Sequence, residues 1–145
     1  MKKLVLLSVL FLASFHLMAQ KPEIFTEDGA AVRGYDVVAY FAEGKPVKGD
    51  AKFAYNWKNA SWNFANQKNL DAFKANPEKY APQYGGYCAY GTSNGYKAKT
   101  EADAFTIVDG KLYLNYNNEV KAMWNKDQKN FIDKANANWP KIKDK

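Results

Sequence analysis

Two pairs of alternating apolar and polar segments stand out along the chain and predict β-hairpins. In the first pair, Phe53, Tyr55 and Trp57 alternate with small or polar residues, and Trp62 and Phe64 share one face after a turn at residues 58–60. In the second pair, Asp109–Gly110 separates the apolar runs 105–108 and 111–115. Asp-Gly between two such runs is typical of a type I′ turn, so both hairpins are expected to be antiparallel.

Other segments change period and predict helices. Leu70 and Phe73 lie three residues apart among charged neighbours, as on a short amphipathic helix. Asn76 before Pro77 is a favourable start for a second short helix. A long amphipathic C-terminal helix is expected to begin near Asn118 and end near Pro140. Its apolar positions recur at helical spacings: Val120, Met123, Trp124, Phe131, Ala135 and Trp139.

The β-branched and aromatic run at residues 37–41 is interpreted as a short buried strand. Taken together, the pattern predicts an α+β fold: a small single domain with antiparallel β-hairpins, short central helices and a long C-terminal amphipathic helix.

The N-terminus has the layout of a secretory signal peptide. Lys2 and Lys3 precede an almost wholly apolar run at residues 4–17, and Ala19 offers a small residue for cleavage. The apolar run is short for a membrane span. We therefore expect a signal peptide at 1–19, a mature domain at 20–145 beginning at Gln20, no integral membrane anchor after cleavage, and a secreted or periplasmic location.

Removal of this segment limits the chemistry of the mature chain. His16 is the single histidine and leaves with the signal peptide, and loss of Lys2 and Lys3 lowers the net charge from +6 to +4. Without histidine, a Cys-His or Ser-His-Asp arrangement is impossible within one chain. Paired carboxylates stay open as an enzymatic alternative, but the sequence favours a protein that is not an enzyme. No dense basic block supports nucleic-acid binding.

The candidate ligand-binding residues fall in two segments. Tyr35 and Asp36 precede the run at 37–41, and Asp36 is interpreted either as a local cap or as a ligand-binding acid. The irregular stretch 83–95 contributes the second group: Tyr84, Gly85, Gly86, Tyr87 and Cys88. Glycine there permits positive φ or a close backbone approach, and exposed aromatic rings can stack on sugars or planar ligands. Cys88, the lone cysteine, is expected to be buried, reactive or intermolecularly bonded.

Several of these runs resemble the secreted YHS-domain proteins. The matching segments are residues 34–41, 62–65, 73, 76–80, 81–89 and 109–115. The resemblance implies a metal such as copper as cofactor, bound in the family by paired cysteines. Laid on this chain, the cysteine positions fall at Ala65 and Asn69, which supply no thiolate, so this is a cysteine-poor form, with Cys88 the one possible thiol ligand.

The sequence therefore predicts an exported binding or accessory module of the YHS type, with a metal or a small molecule as ligand. A structural or protein-interaction domain with a degenerate metal site is the alternative. The partner is expected to be a small ligand or a protein, with the oligomeric state open.

Overall fold

The computed structural model describes residues 20–145, so the predicted signal peptide lies outside the described residues. The elements along this part of the chain are β1 Thr26–Glu27, β2 Ala30–Ala31, α1 Val37–Ala42, β3 Asp50–Trp57, β4 Ala60–Phe64, α2 Gln67–Ala75, α3 Pro77–Tyr80, α4 Ala89–Ser93, β5 Phe105–Val108, β6 Lys111–Leu114, α5 Asn118–Asn125 and α6 Gln128–Ile142. Short 3₁₀ turns occupy Val32–Gly34 and Gln83–Gly86. The predicted α+β fold class is confirmed. Among these helices, none is long and apolar enough to cross a membrane.

Both predicted hairpins are present. β3 pairs antiparallel with β4, placing Tyr55 opposite Trp62. β5 pairs antiparallel with β6 around Asp109 and Gly110, whose φ angles are 51° and 73°. Positive φ at both central residues is what a type I′ turn requires, so the Asp-Gly prediction is confirmed.

The run at 37–41 forms helix α1, and the strand prediction is wrong. Asp36 caps the helix, since its Oδ1 accepts hydrogen bonds from the Val38 and Ala39 amides at 2.9 and 3.1 Å. A capped first turn and burial of one face outweigh the modest strand preference of the β-branched residues. Val37, Val38, Ala39 and Tyr40 are all buried.

The C-terminal segment forms two helices rather than the single predicted one. α5 is capped by Asn117, whose Oδ1 accepts from the Val120 amide at 2.8 Å, and not by Asn118. The amides of Lys126 and Asp127 donate to the carbonyls three residues earlier, which is the hydrogen-bond pattern of a 3₁₀ turn. This turn ends α5, and α6 begins at Gln128. Pro140 lies inside α6 instead of ending it. The ring removes a single helical bond, that to the Asn136 carbonyl, in the penultimate turn.

Two buried clusters make up the core. The larger one joins α1, the β3–β4 hairpin and α2, with Phe73 within 5.1 Å of the Trp62 and Phe64 ring centroids. The smaller one packs Tyr84, Tyr113 and Trp124 against α6.

A buried lysine ties the two ends of the described chain together. The three N–H groups of the Lys97 ammonium are shared among the carbonyls of Lys21, Pro22, Lys143 and Lys145, which lie 2.6–3.3 Å from Nζ. It also lies 5.3 and 5.6 Å from the ring centroids of Tyr87 and Trp139. The segment at 21–22 is thereby held against the C-terminal end of α6.

Candidate functional site

Asp36 is a fully buried carboxylate with a complete set of hydrogen-bond donors. In addition to the two α1 amides on Oδ1, its Oδ2 accepts from the Ala65 amide at 2.9 Å and from Asn69 Nδ2 at 2.8 Å. A carboxylate has about four lone-pair sites, and four N–H groups occupy them here. Asp36 therefore joins α1 to the β4–α2 connection and has no oxygen lone pair left for a ligand.

The residues at the implied metal positions do not fit a soft metal. Ala65 presents a methyl group, and Asn69 is buried with its amide nitrogen directed at Asp36. Soft metals take thiolates or imidazoles, and neither occurs at these positions. Within residues 20–145, no three His, Cys, Asp or Glu side chains are grouped closely enough to hold one metal ion. At position 69, the side chain that would be a thiol in the paired-cysteine form is instead a carboxamide bonded to Asp36.

Tyr84, Gly85 and Gly86 form a left-handed turn, with φ angles of 60°, 63° and 84°. The glycines are required by the close approach of the chain to itself. A Cβ on Gly85 would lie 1.8 Å from the Glu23 carbonyl oxygen, and one on Gly86 would lie 2.5 Å from Val32 Cγ1. The Gly85 carbonyl also accepts from the Phe25 amide at 2.8 Å. The backbone approach suggested by the glycines is therefore made to residues 23–32.

This turn forms one wall of a cleft of about 400 Å³, which we call the Tyr84 cleft. The other walls come from the β3–β4 turn, α3 and α6. The lining residues are Glu23, Ile24, Trp57, Lys58, Glu78, Ala81, Pro82, Gln83, Tyr84, Gly85, Lys111, Asn136, Trp139 and Pro140. Two of the predicted site residues, Tyr84 and Gly85, thus lie in it.

The Tyr84 hydroxyl holds a carboxamide in place at the cleft. It donates to Asn136 Oδ1 at 2.9 Å, and it lies 3.5 Å from the Ile132 carbonyl oxygen. Burial raises the pKa of Tyr84 above its ordinary value of 10.0, and Tyr113 and Asp133 raise it further. The hydroxyl therefore stays protonated as a donor. Because Asn136 Oδ1 is occupied, the Nδ2 group of this exposed side chain is the one that can donate to a ligand.

Two half-buried tryptophans supply the apolar surface of the cleft. Trp57 packs against Trp62 and Phe73, each at a centroid distance of 5.7 Å, and Trp139 packs beside Tyr84 at 6.2 Å. An ion pair crosses the rim, since Lys58 Nζ lies 3.1 Å from Glu23 Oε1. The same ammonium lies 4.8 Å from the Trp57 ring centroid. The cleft thus combines indole surface with paired charges and a fixed carboxamide.

The remaining predicted residues lie elsewhere. Tyr35 lines a separate charged depression with Arg33 and Lys48. Gly86, the last residue of the turn, and Tyr87 are buried. The Tyr87 hydroxyl donates to the Pro22 carbonyl at 2.8 Å, and its ring centroid lies 6.3 Å from that of Trp139.

Cys88 is a free and buried thiol. Its Sγ accepts from the Gly91 amide at 3.4 Å and donates to Asn115 Oδ1 at 3.5 Å. Burial raises the pKa of this thiol, although nearby backbone amides oppose the shift. The thiol is therefore protonated at neutral pH and part of the packing around α4.

Four residues that were not among the predicted ligand-binding residues help to form the Tyr84 cleft and the hydrogen bonds around Asp36. Trp57, Asn136 and Trp139 line the cleft, and Asn69 holds Asp36. Trp57 fits the alternating pattern of β3 and Trp139 fits the helical spacing of α6, so the sequence pattern predicts both as core residues. Asn136 and Asn69 carry no local signal, because their partners are 52 and 33 residues away.

Comparison with known proteins gives a match over one part of the chain. No curated protein and no solved structure shows a significant match. The YHS domain model matches residues 38–84, which run from α1 through the β3–β4 hairpin to the turn at Tyr84. The Tyr84 cleft therefore lies between this segment and the residues that flank it on both sides. Over residues 38–84, this chain is similar to a YHS domain.

Proposed function

We propose that this protein is an exported binding module whose Tyr84 cleft holds a small, neutral, polar molecule with a ring, such as a monosaccharide. The observation that carries the proposal is the pairing of Trp57 and Trp139 with the Asn136 carboxamide in one cleft. Sugars are bound by apolar contact of the ring with an aromatic side chain and by hydrogen bonds from fixed polar groups to the hydroxyls.

The charges around the cleft favour a neutral ligand. Lys58 and Lys111 are matched by Glu23 and Glu78, and the Lys58–Glu23 pair is already formed. An anionic or cationic ligand would meet no excess of opposite charge there. A soft metal is disfavoured as the resident ligand, because the side chains of Ala65 and Asn69 supply neither a thiolate nor an imidazole.

The test is titration of the mature protein with N-acetylglucosamine, followed by amide chemical shifts and tryptophan fluorescence. Binding is expected to perturb the indole signals of Trp57 and Trp139. Asn136→Ala is expected to weaken binding about tenfold, the size of one lost hydrogen bond. Asn130→Ala is the matched control, because Asn130 is an exposed asparagine on the same helix that does not line the cleft. Equal affinities for the two variants would overturn the proposed site.

Export is supported by the basic, apolar and small-residue pattern of the first 19 positions. Mass spectrometry of the protein recovered outside the cytoplasm is expected to find Gln20 as the first residue. A protein retaining Met1 in the membrane fraction would contradict export by cleavage.

A further inference from the structure

Two further depressions that border α6 adjoin the Tyr84 cleft, one on either side. A second depression, of about 530 Å³, shares Glu23 and Lys58 with it and extends toward Gln20 and Asp144. A third, of about 280 Å³, shares Lys111 and Asn136 with it and extends past the Asp109 hairpin turn to Gln128. The three depressions thus adjoin through shared lining residues, and we call them together the α6 groove.

One face of α6 follows this groove along its length. Four residues of α6, Lys129, Asp133, Asn136 and Pro140, and the C-cap residue Lys143 recur at intervals of three or four residues, and each lines at least one of the three depressions. Such spacing places them in a single stripe on the helix. The helix has 15 residues, and at 1.5 Å per residue it is about 22 Å long. A stripe of that length is far longer than a single sugar ring.

The groove is electrically balanced, although the chain as a whole is basic. Five lysines and five carboxylates line the three depressions, whereas the full sequence carries a net charge of +6. Two of the pairs are in contact: Lys58 with Glu23 at 3.1 Å and Lys129 with Asp133 at 2.7 Å. Paired charges offer donors and acceptors without a net field, which suits a neutral chain rich in hydroxyl groups better than a polyanion.

We propose that the ligand is a linear, neutral oligosaccharide that lies along α6, with one ring in the Tyr84 cleft and further rings in the depressions on either side. This inference rests on the proposed function, because it takes the Tyr84 cleft as the central subsite. Trp57 and Trp139 contact the central ring, and the polar residues at the two ends bind the flanking rings.

The experiment compares N-acetylglucosamine with its β-linked oligomers of two, four and six units by calorimetry and amide chemical shifts. Affinity is expected to rise about tenfold or more between the monomer and the tetramer, since each filled subsite adds contacts. Chemical-shift changes are expected to spread from Asn136 toward Gln128 at one end and Asn59 at the other.

Two variants test the end subsites with the fold retained. Gln128→Ala removes a side chain from the third depression, and Asn130→Ala is again the control, in the same turn of α6 but outside the groove. Asn59→Gly removes a side chain from the second depression and suits the local φ of 58°. Both groove variants are expected to weaken hexamer binding severalfold and to leave monomer binding unchanged, whereas Asn130→Ala changes neither.

The outcomes separate this inference from the proposed function. Monomer binding that depends on Asn136, with affinity independent of chain length, would overturn the extended groove and leave the cleft in place. Oligomer binding that is insensitive to Asn136→Ala, or no binding of any saccharide, would overturn both. Tighter binding of a polyanionic oligosaccharide than of the neutral hexamer would contradict the charge argument.

Discussion

Asn69 donates a 2.8 Å hydrogen bond to the buried carboxylate of Asp36, and this contact joins α2 to the start of α1. Both groups are almost completely shielded from water, so each depends on the other for its hydrogen bonds. The same carboxylate also accepts the Ala65 amide, which places three separate segments around one charged group.

Removal of either partner is expected to destabilise the protein. Asn69→Ala leaves Asp36 with three donors and should lower the free energy of unfolding by about 1.5–3 kcal/mol, the range for a bond to a charged group. Asp36→Ala leaves four N–H groups without their acceptor and should lower the free energy of unfolding by about 3–5 kcal/mol. Urea denaturation of the variants measures both effects. Asp71→Ala, on the exposed face of α2, is the control, and an equal loss in Asn69→Ala and this control would contradict the role of the bond.

Gly85 and Gly110 both have positive φ, but only Gly85 lies against other backbone. Alanine at either position has the left-handed backbone cost of about 1–2 kcal/mol. At Gly85 the new Cβ would also lie 1.8 Å from the Glu23 carbonyl oxygen, whereas nothing lies within 4 Å at Gly110. Gly85→Ala should therefore lower the melting temperature clearly more than Gly110→Ala. Equal shifts would mean that residues 23–24 move aside without cost.

Burial of Cys88 should make the thiol unreactive in the folded protein. A chromogenic thiol reagent at neutral pH is expected to react with Cys88 only after denaturant is added, because attack requires an accessible thiolate. Fast reaction in native buffer, at the rate of a small free thiol, would contradict the buried position.

The raised pKa of Cys88 also predicts a pH dependence of stability. Folding favours the protonated thiol, so its contribution is fully present below the ordinary pKa of 9.0 and is lost as the pH rises through the higher folded value. The free energy of unfolding should fall above about pH 9 more steeply in the wild type than in Cys88→Ala. Parallel pH profiles for the two proteins would exclude a contribution from this thiol.

Lys97 should hold residues 20–25 to the C-terminal end of α6. Lys97→Met keeps the aliphatic chain between Tyr87 and Trp139 but removes the ammonium donor from the carbonyls of Lys21, Lys143 and Lys145, while the Pro22 carbonyl keeps the Tyr87 hydroxyl. We expect a loss of about 2–3 kcal/mol in stability and faster proteolysis near Pro22. Lys99→Met is the matched control, since Lys99 is exposed. Unchanged cleavage near Pro22 would show that other contacts hold this segment.

The two hairpins and the start of α3 could be predicted from the sequence because their signals are local. Asp109–Gly110 adopts its turn through its own φ preferences, and Pro77 begins α3 through its fixed ring. The run at 37–41 shows the limit of such signals. Its β-branched residues favour a strand, and the Asp36 cap that decides for a helix resembles an ordinary turn residue in the sequence.

The tertiary structure alone decided where the candidate site lies. Tyr84 and Gly85 could be singled out from their unusual sequence, but Trp57, Asn136 and Trp139 join them across 27 to 55 residues of chain. Likewise, the cysteine-free positions 65 and 69 could be read from the sequence, whereas their bonds to Asp36 could not. Periodicity reports which face of an element is buried, and only packing brings the faces of distant elements together around one cleft.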